Sequence, residues 1–520
     1  LSTVTDVRIV TSPLGGTALS QLLQRGEAPA GWMPAAPRTP AEWRARALAR
    51  ARERNWEECW RALEPALLAT GQAAERLRRV RAEGGVVVTT GQQPGLFGGP
   101  IYTFSKAMGA LALADVIERE TGVPTAAIFW AATDDADFVE ASSTVVARAG
   151  GVEVLRSAFA PPAGTPMSLA PLGDMSDLLA RLRDGSGSAA DPWALAAVDR
   201  AYGSATRSTG DAFVLLLREL LEPFGMPVLD ASHSAVRATS AATLRAALTG
   251  SEAIERALLQ RGGDIRGAGM EPQVVDVPGL SLVFTRDDTV KRRLPLAEAA
   301  ATSANASAWL TPNVLLRPIV EQAILPTIAY MAGPGELAYF AQVSAVSDVL
   351  GLPQPLAMPR WSCTLIEPAA QRLLEQFDVH PDALDQPDAL EGAVARAAMS
   401  AGSADALVAL RVAIGALPVA LAAEAGPLGL GGAVEGAMQS LHHRVDRLER
   451  RLVAGIKRRE QGVLRDVATL RALLRPLNKR QERMLNLMPI LSRHGRGLLM
   501  EMHGAAKEHA TRLVGRSGES

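Results

Sequence analysis

Cysteine, lysine and histidine are all scarce in this chain of 520 residues, and each scarcity narrows what it can do. Cys59 and Cys363 are too few for a disulfide framework and too distant in sequence for a local zinc knuckle, so a reducing cytoplasm is expected. The seven histidines avoid the segments that otherwise carry polar motifs, which argues against a histidine-based triad or zinc site. Excess charge of one sign is missing too: 54 basic and 55 acidic residues leave a formal charge of −1. A partner held by bulk charge, nucleic acid or an anionic membrane, is therefore not expected. No run reaches the ~18 uncharged apolar residues of a membrane span. The nearest, residues 412–423, lies between Arg411 and Glu424, contains Gly415 and Pro418, and reads as a buried, kinked helix. Residues 1–12 lack the basic flank and apolar run of a signal peptide, so secretion is not expected.

What is present is an ordinary globular composition, 48% hydrophobic and 21% charged, with length for two to four domains. Residues 42–83 read as one or two arginine-rich surface helices. Val86, Val87 and Val88 form the β-branched run of a strand buried on both faces. A glycine-rich turn, residues 91–100, then a helix over 102–120 and a second strand over 125–131 complete a strand–helix–strand unit, hence a parallel α/β sheet. Residues 160–220, rich in Pro, Gly, Ala and Ser, look like an insertion with helical pieces at 178–182 and 213–221. A strand at 226–229, a helix over 240–259 and a hairpin of 271–277 with 281–285 around Pro278-Gly279 follow. A strand at 326–330, the turn Gly333-Pro334-Gly335 and a helix over 336–350 restore the α/β pattern.

Beyond Glu367 the chain reads as helical. Val434, Met438, Leu441, Val445, Leu448 and Leu452 alternate steps of four and three, the spacing of a coiled-coil seam. Leu452, Ile456 and Glu460 then step by four each before Val463, Val467, Leu470 and Leu474 resume the alternation. Such a stutter predicts local unwinding without an end to the helix. The chain leaves this arm at Arg475-Pro476 and is expected to return to the core. The expected boundaries are a first core part at 1–159, an inserted connecting segment at 160–220, a second core part at 221–367 with a smaller insertion near 260–310, a coiled-coil arm at 368–475, and a returning segment at 476–520.

Three strand-end turns could carry chemistry. Gly91 to Pro100 supplies four glycines for close backbone approach, with Gln92 and Gln93 as amide donors and acceptors, but lacks the Gly-Lys-Ser/Thr of a phosphate-binding P-loop. The alternative is a well-packed turn. Lys106 follows on the helix. Only five of the 54 basic residues are lysine (Lys106, Lys291, Lys457, Lys479, Lys507), so a lysine here suggests a point-charge contact to an anion, surface placement being the alternative. Asp134, Asp135 and Asp137 crowd three carboxylates after the second strand; they could pair with a cation, hold a substrate ammonium or supply a general base, or form a solvated acidic turn. Further on lie Glu271 and Gln273, Asn313 and Arg317, and Gly333, Gly335 and Glu336 leading to Tyr339. The Arg317 fork could grip a carboxylate or phosphate, while Glu336 also suits a helix start.

These segments together resemble the cysteine-adding enzyme family of bacillithiol biosynthesis. The likeness rests on Thr90 through Thr103, on Phe129-Trp130 with the following Asp134-Asp135-Ala136-Asp137-Phe138, on Glu271-Pro272-Gln273 and on Asn313 through Pro318. It continues in Gly333 through Tyr339, Pro359-Arg360, Gln481-Glu482-Arg483 and Leu485-Asn486. The resemblance implies a Rossmann-like core with inserted connecting segments and a C-terminal coiled-coil arm that makes a homodimer. It implies a ligase that joins cysteine to glucosaminyl malate by an amide bond, with ATP the natural activating cofactor and no metal site assigned. Under it, Asp134, Asp135 and Asp137 are catalytic; Gly91, Gln92, Gln93, Tyr102, Thr103, Lys106, Glu271, Gln273, Asn313, Arg317, Gly333, Gly335, Glu336 and Tyr339 bind substrate or nucleotide. The family pattern departs at two positions: it carries a histidine where this chain has Ala136, and usually a glutamate where it has Asp134. If that histidine is an acid/base group, the alanine predicts weakened, altered or lost turnover. A catalytically silent nucleotide- or sugar-binding homologue and a coiled-coil scaffold are the competing readings.

Overall fold

Val86, Val87 and Val88 open the strand on which the fold is organised. In the computed structural model, which describes residues 5–187, 191–386 and 389–515, all three are fully buried. Each contributes up to ~1.5–3 kcal/mol of apolar burial. Along the chain come β1 (Val86–Gln92), α1 (Ile101–Thr121), β2 (Thr125–Ala131), β3 (Val228–Asp230), α2 (Ser234–Thr249), β4 (Leu280–Asp287), β5 (Val290–Pro295), β6 (Thr311–Pro312), α3 (Arg317–Ile324), β7 (Thr327–Ala332), α4 (Pro334–Leu350) and β8 (Ala357–Pro359). The core sheet has the order β8-β7-β1-β2-β3 with every neighbouring pair parallel. β1 and β2 run in register from Val86 opposite Thr125 to Gln92 opposite Ala131. From β1 the chain builds outward through β2 to β3, and from β7 it builds the other way to β8. The switch point therefore lies between β1 and β7, where the crevice beyond the strand ends is the ordinary ligand site of an open parallel sheet.

The chain divides into two units, Leu1–Val146 with Val154–Leu365 and Glu482–Ser520, and Ala147–Glu153 with Ile366–Gln481. In the first, α1 is buried nearly all round, not along one face, because the sheet covers one side and helix Arg496–Val514 packs against it. A helix apolar on every side is what that burial requires. In the second, helix Ala401–Ala420 packs on helix Gly431–Arg459 through Leu407, Ile414 and Val445, and Arg411 pairs with Asp446 and Glu449.

Several expectations need correction. Residues 42–83 form three helices, Pro40–Arg52, Glu57–Leu67 and Gly71–Glu83, that bury Trp43 and Trp60. The region read as one helix over 240–259 is two, α2 and Ser251–Gly267. The hairpin is β4 with β5, one strand later than expected, and residues 271–277 are not a strand. Its turn sits at Asp288, whose φ of +54° places it in the left-handed region that aspartate tolerates in tight hairpins. The apolar stretch at 412–423 is mostly exposed, with Ile414 buried against its neighbour but Val412 and Val419 68% and 83% accessible. By length and composition, Ala401–Ala425 could cross a membrane. The stutter ends a helix, since Glu460 (φ −93°, ψ 43°) separates Gly431–Arg459 from Gln461–Leu474.

Candidate active site

The turns after β1, β2 and β7 open onto one cavity of about 930 Å³. Gly91, Gln92 and Gln93 line it from the end of β1, Asp134 to Asp137 from the turn after β2, and Gly333 to Glu336 from the turn after β7. A second wall comes from the helix after β3 and from the small antiparallel sheet: Arg237 and Ser240 on α2, Phe284 on β4, Lys291 and Arg293 on β5, and Thr311 and Pro312 on β6. No histidine lines the cavity among the described residues, and none of their His, Cys, Asp and Glu side chains form a group of three or more suited to a metal ion.

The switch point is bridged by an ion pair. Lys106, on α1, is fully buried; its Nζ lies 2.7 Å from Glu336 Oε2 on α4 and also donates to the Gly91 carbonyl and, at 3.3 Å, to Gln92 Oε1. Glu336 accepts in addition from the Tyr330 hydroxyl (2.5 Å) and from its own N-cap amide, Gly333 N–H (2.7 Å). Burial pushes the Glu336 carboxyl up, but Lys106, Arg317 and the Tyr330 hydrogen bond outweigh it and leave the group below the usual range. The lysine thus holds the ends of β1 and β7 together. Its surface alternative is excluded, and its charge is already partnered within the protein.

Arg317 continues this network. Its guanidinium donates to Glu321 (3.1 Å), Tyr330 (3.2 Å) and Tyr339 (3.1 Å) and stacks over the Tyr330 ring. Glu321, which the sequence did not single out, is 1% exposed and also accepts from Thr89. Burial pushes its carboxyl up to about 7, with Arg317 and Thr89 opposing and Glu336 adding to the rise. Arg360, also in the lining, forms a buried two-point pair with Glu482 at 2.8 and 2.7 Å. Desolvated pairs of this kind persist only when both members are well hydrogen-bonded.

The acidic turn is less fully paired. Lys291 Nζ donates to the Asp134 carbonyl (2.8 Å), lies 3.3 Å from its carboxylate and stacks over Phe284. Asp135 accepts from the Asp137 amide (2.9 Å), yet burial and the adjacent Asp134 charge push its carboxyl up. Glu140, bonded to Gln93, is raised by burial and by Asp137 and Asp135. Tyr102, hydrogen-bonded to Gln92 at 3.1 Å, is raised to about 12, chiefly by burial. Such a carboxylate concentration suits an ammonium group or a proton acceptor.

The remaining sequence candidates divide. Gln273, Asn313 and Tyr339 line the cavity; Asn313 uses its side-chain oxygen to accept from Leu315 and Leu316 N–H at the start of α3. Thr103 is fully buried beneath Gly99 and Glu271 is exposed, and neither is part of the lining. Beyond Gln93 the glycine-rich turn is partly fastened on itself. Its Gly98 and Gly99 amides are satisfied by Gly95 and Leu96 carbonyls, and Asn486 Nδ2 donates to the carbonyls of Leu96, Phe97 and Gly99 at 3.1 to 3.2 Å. Lys291 was detectable in principle, because the lysine scarcity that marks Lys106 marks it equally. Arg237 and Arg293 carried no such signal in an arginine-rich chain.

A family model described as "Bacillithiol biosynthesis BshC, N-terminal Rossmann-like domain" matches residues 37–361, and one for the BshC C-terminal coiled-coil domain matches residues 363–513. The chain belongs to the BshC family. Relatives carrying the name "Putative cysteine ligase BshC" include one from Solibacter usitatus, 29% identical over 86% of this chain and 88% of its own length. Others come from Salinibacter ruber, 28% identical over 83% and 82%, and Koribacter versatilis, 29% identical over 84% of each. The BshC core and coiled-coil domains thus account for the parallel sheet and the C-terminal helices.

Proposed function

We propose that this chain is a cysteine ligase that joins cysteine to glucosaminyl malate, forming an amide with net loss of water in the last step of bacillithiol synthesis. The observation that carries this reading is the convergence of three strand-end turns on one cavity with an acidic side. There Asp135, with Asp134, Asp137 and Glu140 around it, would hold the amino group of the sugar and accept its proton. A free carboxylate needs activation before it can form an amide, and ATP is the candidate reagent. Membership of the BshC family and the names of the relatives support the same chemistry. We place the enzyme in the cytoplasm, as a homodimer whose helical arms meet through the exposed Leu441, Leu448 and Leu452. The test supplies the full-length protein with glucosaminyl malate, cysteine, ATP and magnesium and looks for bacillithiol by mass spectrometry. Failure to detect product at high enzyme concentration overturns the reading.

One observation favours a second reading. Ala136 lines the cavity beside Asp135 where the resemblance leads one to expect an imidazole, and no other histidine of the described residues replaces it. A binding protein without turnover would give calorimetric binding of glucosaminyl malate and no product.

A further inference from the structure

The second wall of the cavity carries two guanidinium groups that form no ion pair among the described residues. Lys291 and Arg293 are two residues apart on β5, so they share one face, and that face meets the cavity beside Phe284, which pairs with Arg293 across the hairpin. Arg237 reaches the same cavity from α2, one turn before Ser240. Lys291 is matched by Asp134. Arg237 donates to the Ser232 carbonyl, and Arg293 donates twice to the Ser281 carbonyl at 3.3 and 3.2 Å; among the described residues neither has a carboxylate in ion-pair range. Burial pushes both guanidinium groups down from their ordinary range, aided at Arg237 by nearby Arg286 and opposed there by the more distant Asp230 and Asp134, and opposed at Arg293 by Asp276. Withdrawing a cation from water without a close counter-charge is costly, and an anion bound at the cavity wall would offset that cost.

Arg317, the sequence candidate for gripping a carboxylate, cannot serve as readily, because its fork is already occupied by Glu321, Tyr330 and Tyr339. In the glycine-rich turn the Gly98 and Gly99 amides are bonded to carbonyls of the same turn, so those two N–H groups are not offered to a phosphate. Arg237 and Arg293, two guanidinium forks from separate elements, match two separate planar carboxylates.

We propose that Arg237 and Arg293 form an anion subsite that takes the dicarboxylate end of the amino-sugar substrate and points its amine toward Asp135. This deepens the ligase reading and rests on it for the identity of the substrate. The site then recognises one molecule at both ends, anion on the second wall and ammonium on the strand-end wall.

The experiment measures binding of glucosaminyl malate, L-malate, inorganic phosphate and ADP to the full-length protein by calorimetry, and KM for each substrate, in wild type, Arg237→Gln, Arg293→Gln and Arg293→Lys. The expected result is that each glutamine variant weakens binding of the sugar acid and raises its KM on the order of tenfold, the loss of a charge-assisted hydrogen bond. KM for cysteine stays put, Arg293→Lys recovers part of the loss, and phosphate and ADP leave L-malate in place. The proposal is overturned if the sugar acid does not bind, if its affinity is unmoved in both glutamine variants, or if phosphate displaces malate. Arginine-dependent binding without amide formation would sustain the subsite and remove the ligase. Amide formation with unmoved KM would do the reverse.

Discussion

Replacing Glu321 by glutamine should make the protein lose less stability as pH rises, although it removes one member of a buried ion pair. The carboxyl is 1% exposed, and its pKa rises from the 4.5 of a free glutamate to about 7, because burial outweighs Arg317 and the Thr89 hydrogen bond. The folded state therefore holds a proton that the unfolded chain releases. Stability from this group is complete below pH 4.5 and is lost as pH rises through about 7. At ~1.36 kcal/mol per pKa unit, the loss amounts to about 3 kcal/mol by pH 8. Glutamine keeps the shape and one hydrogen-bonding oxygen but cannot ionise. Relative to wild type, Glu321→Gln should gain on the order of 3 kcal/mol between pH 4.5 and pH 8, even if it starts lower at the acid end. Urea denaturation of both proteins at half-unit pH steps measures this difference, and subtraction cancels the titration of groups that do not interact with Glu321, such as Asp135 and Glu140. A stability difference that is flat, or that falls with rising pH, refutes the assignment of a buried, reluctantly ionised carboxyl at the foot of Arg317.

Three further outcomes follow from the same geometry. Lys106→Met should lower stability by roughly 3–5 kcal/mol, the usual cost of stranding a buried carboxylate, read as a drop in urea midpoint with weakened substrate binding. Gly91→Ala should destabilise the end of β1, since a Cβ there would stand 2.6 Å from the Trp130 carbonyl oxygen; a melting temperature within a degree of wild type would contradict this packing. Ala136→His should raise turnover in the mass-spectrometric ligase assay, and unchanged or lower turnover would show that an imidazole at this position is not what limits the chain.

The parallel sheet was legible because strands buried on both faces must be uninterrupted apolar runs, and residues 86–88 and 125–131 are such runs. The three turns at its carboxyl ends were legible as candidates for the same topological reason. Lys106 stood out by rarity, but its role did not: sequence spacing cannot reveal that Glu336, 230 positions later, neutralises it. Glu321 was invisible because a lone glutamate early in a helix is unremarkable until its surroundings are known. Arg237 and Arg293 arrive from a helix and a hairpin whose places beside the sheet are decided by long-range packing. The hairpin was misplaced because Pro278-Gly279 is a strong turn signal, whereas the turn actually used depends on one aspartate adopting a positive φ.

The amide of Asn486 holds three carbonyls of a turn that lies nearly 390 residues earlier in the chain. Until that asparagine has emerged from the ribosome, the glycine turn beneath the site lacks its fastening. Maturation of the pocket should thus be a late event, and nascent chains halted within the helical arm should carry a formed sheet with an unfinished floor.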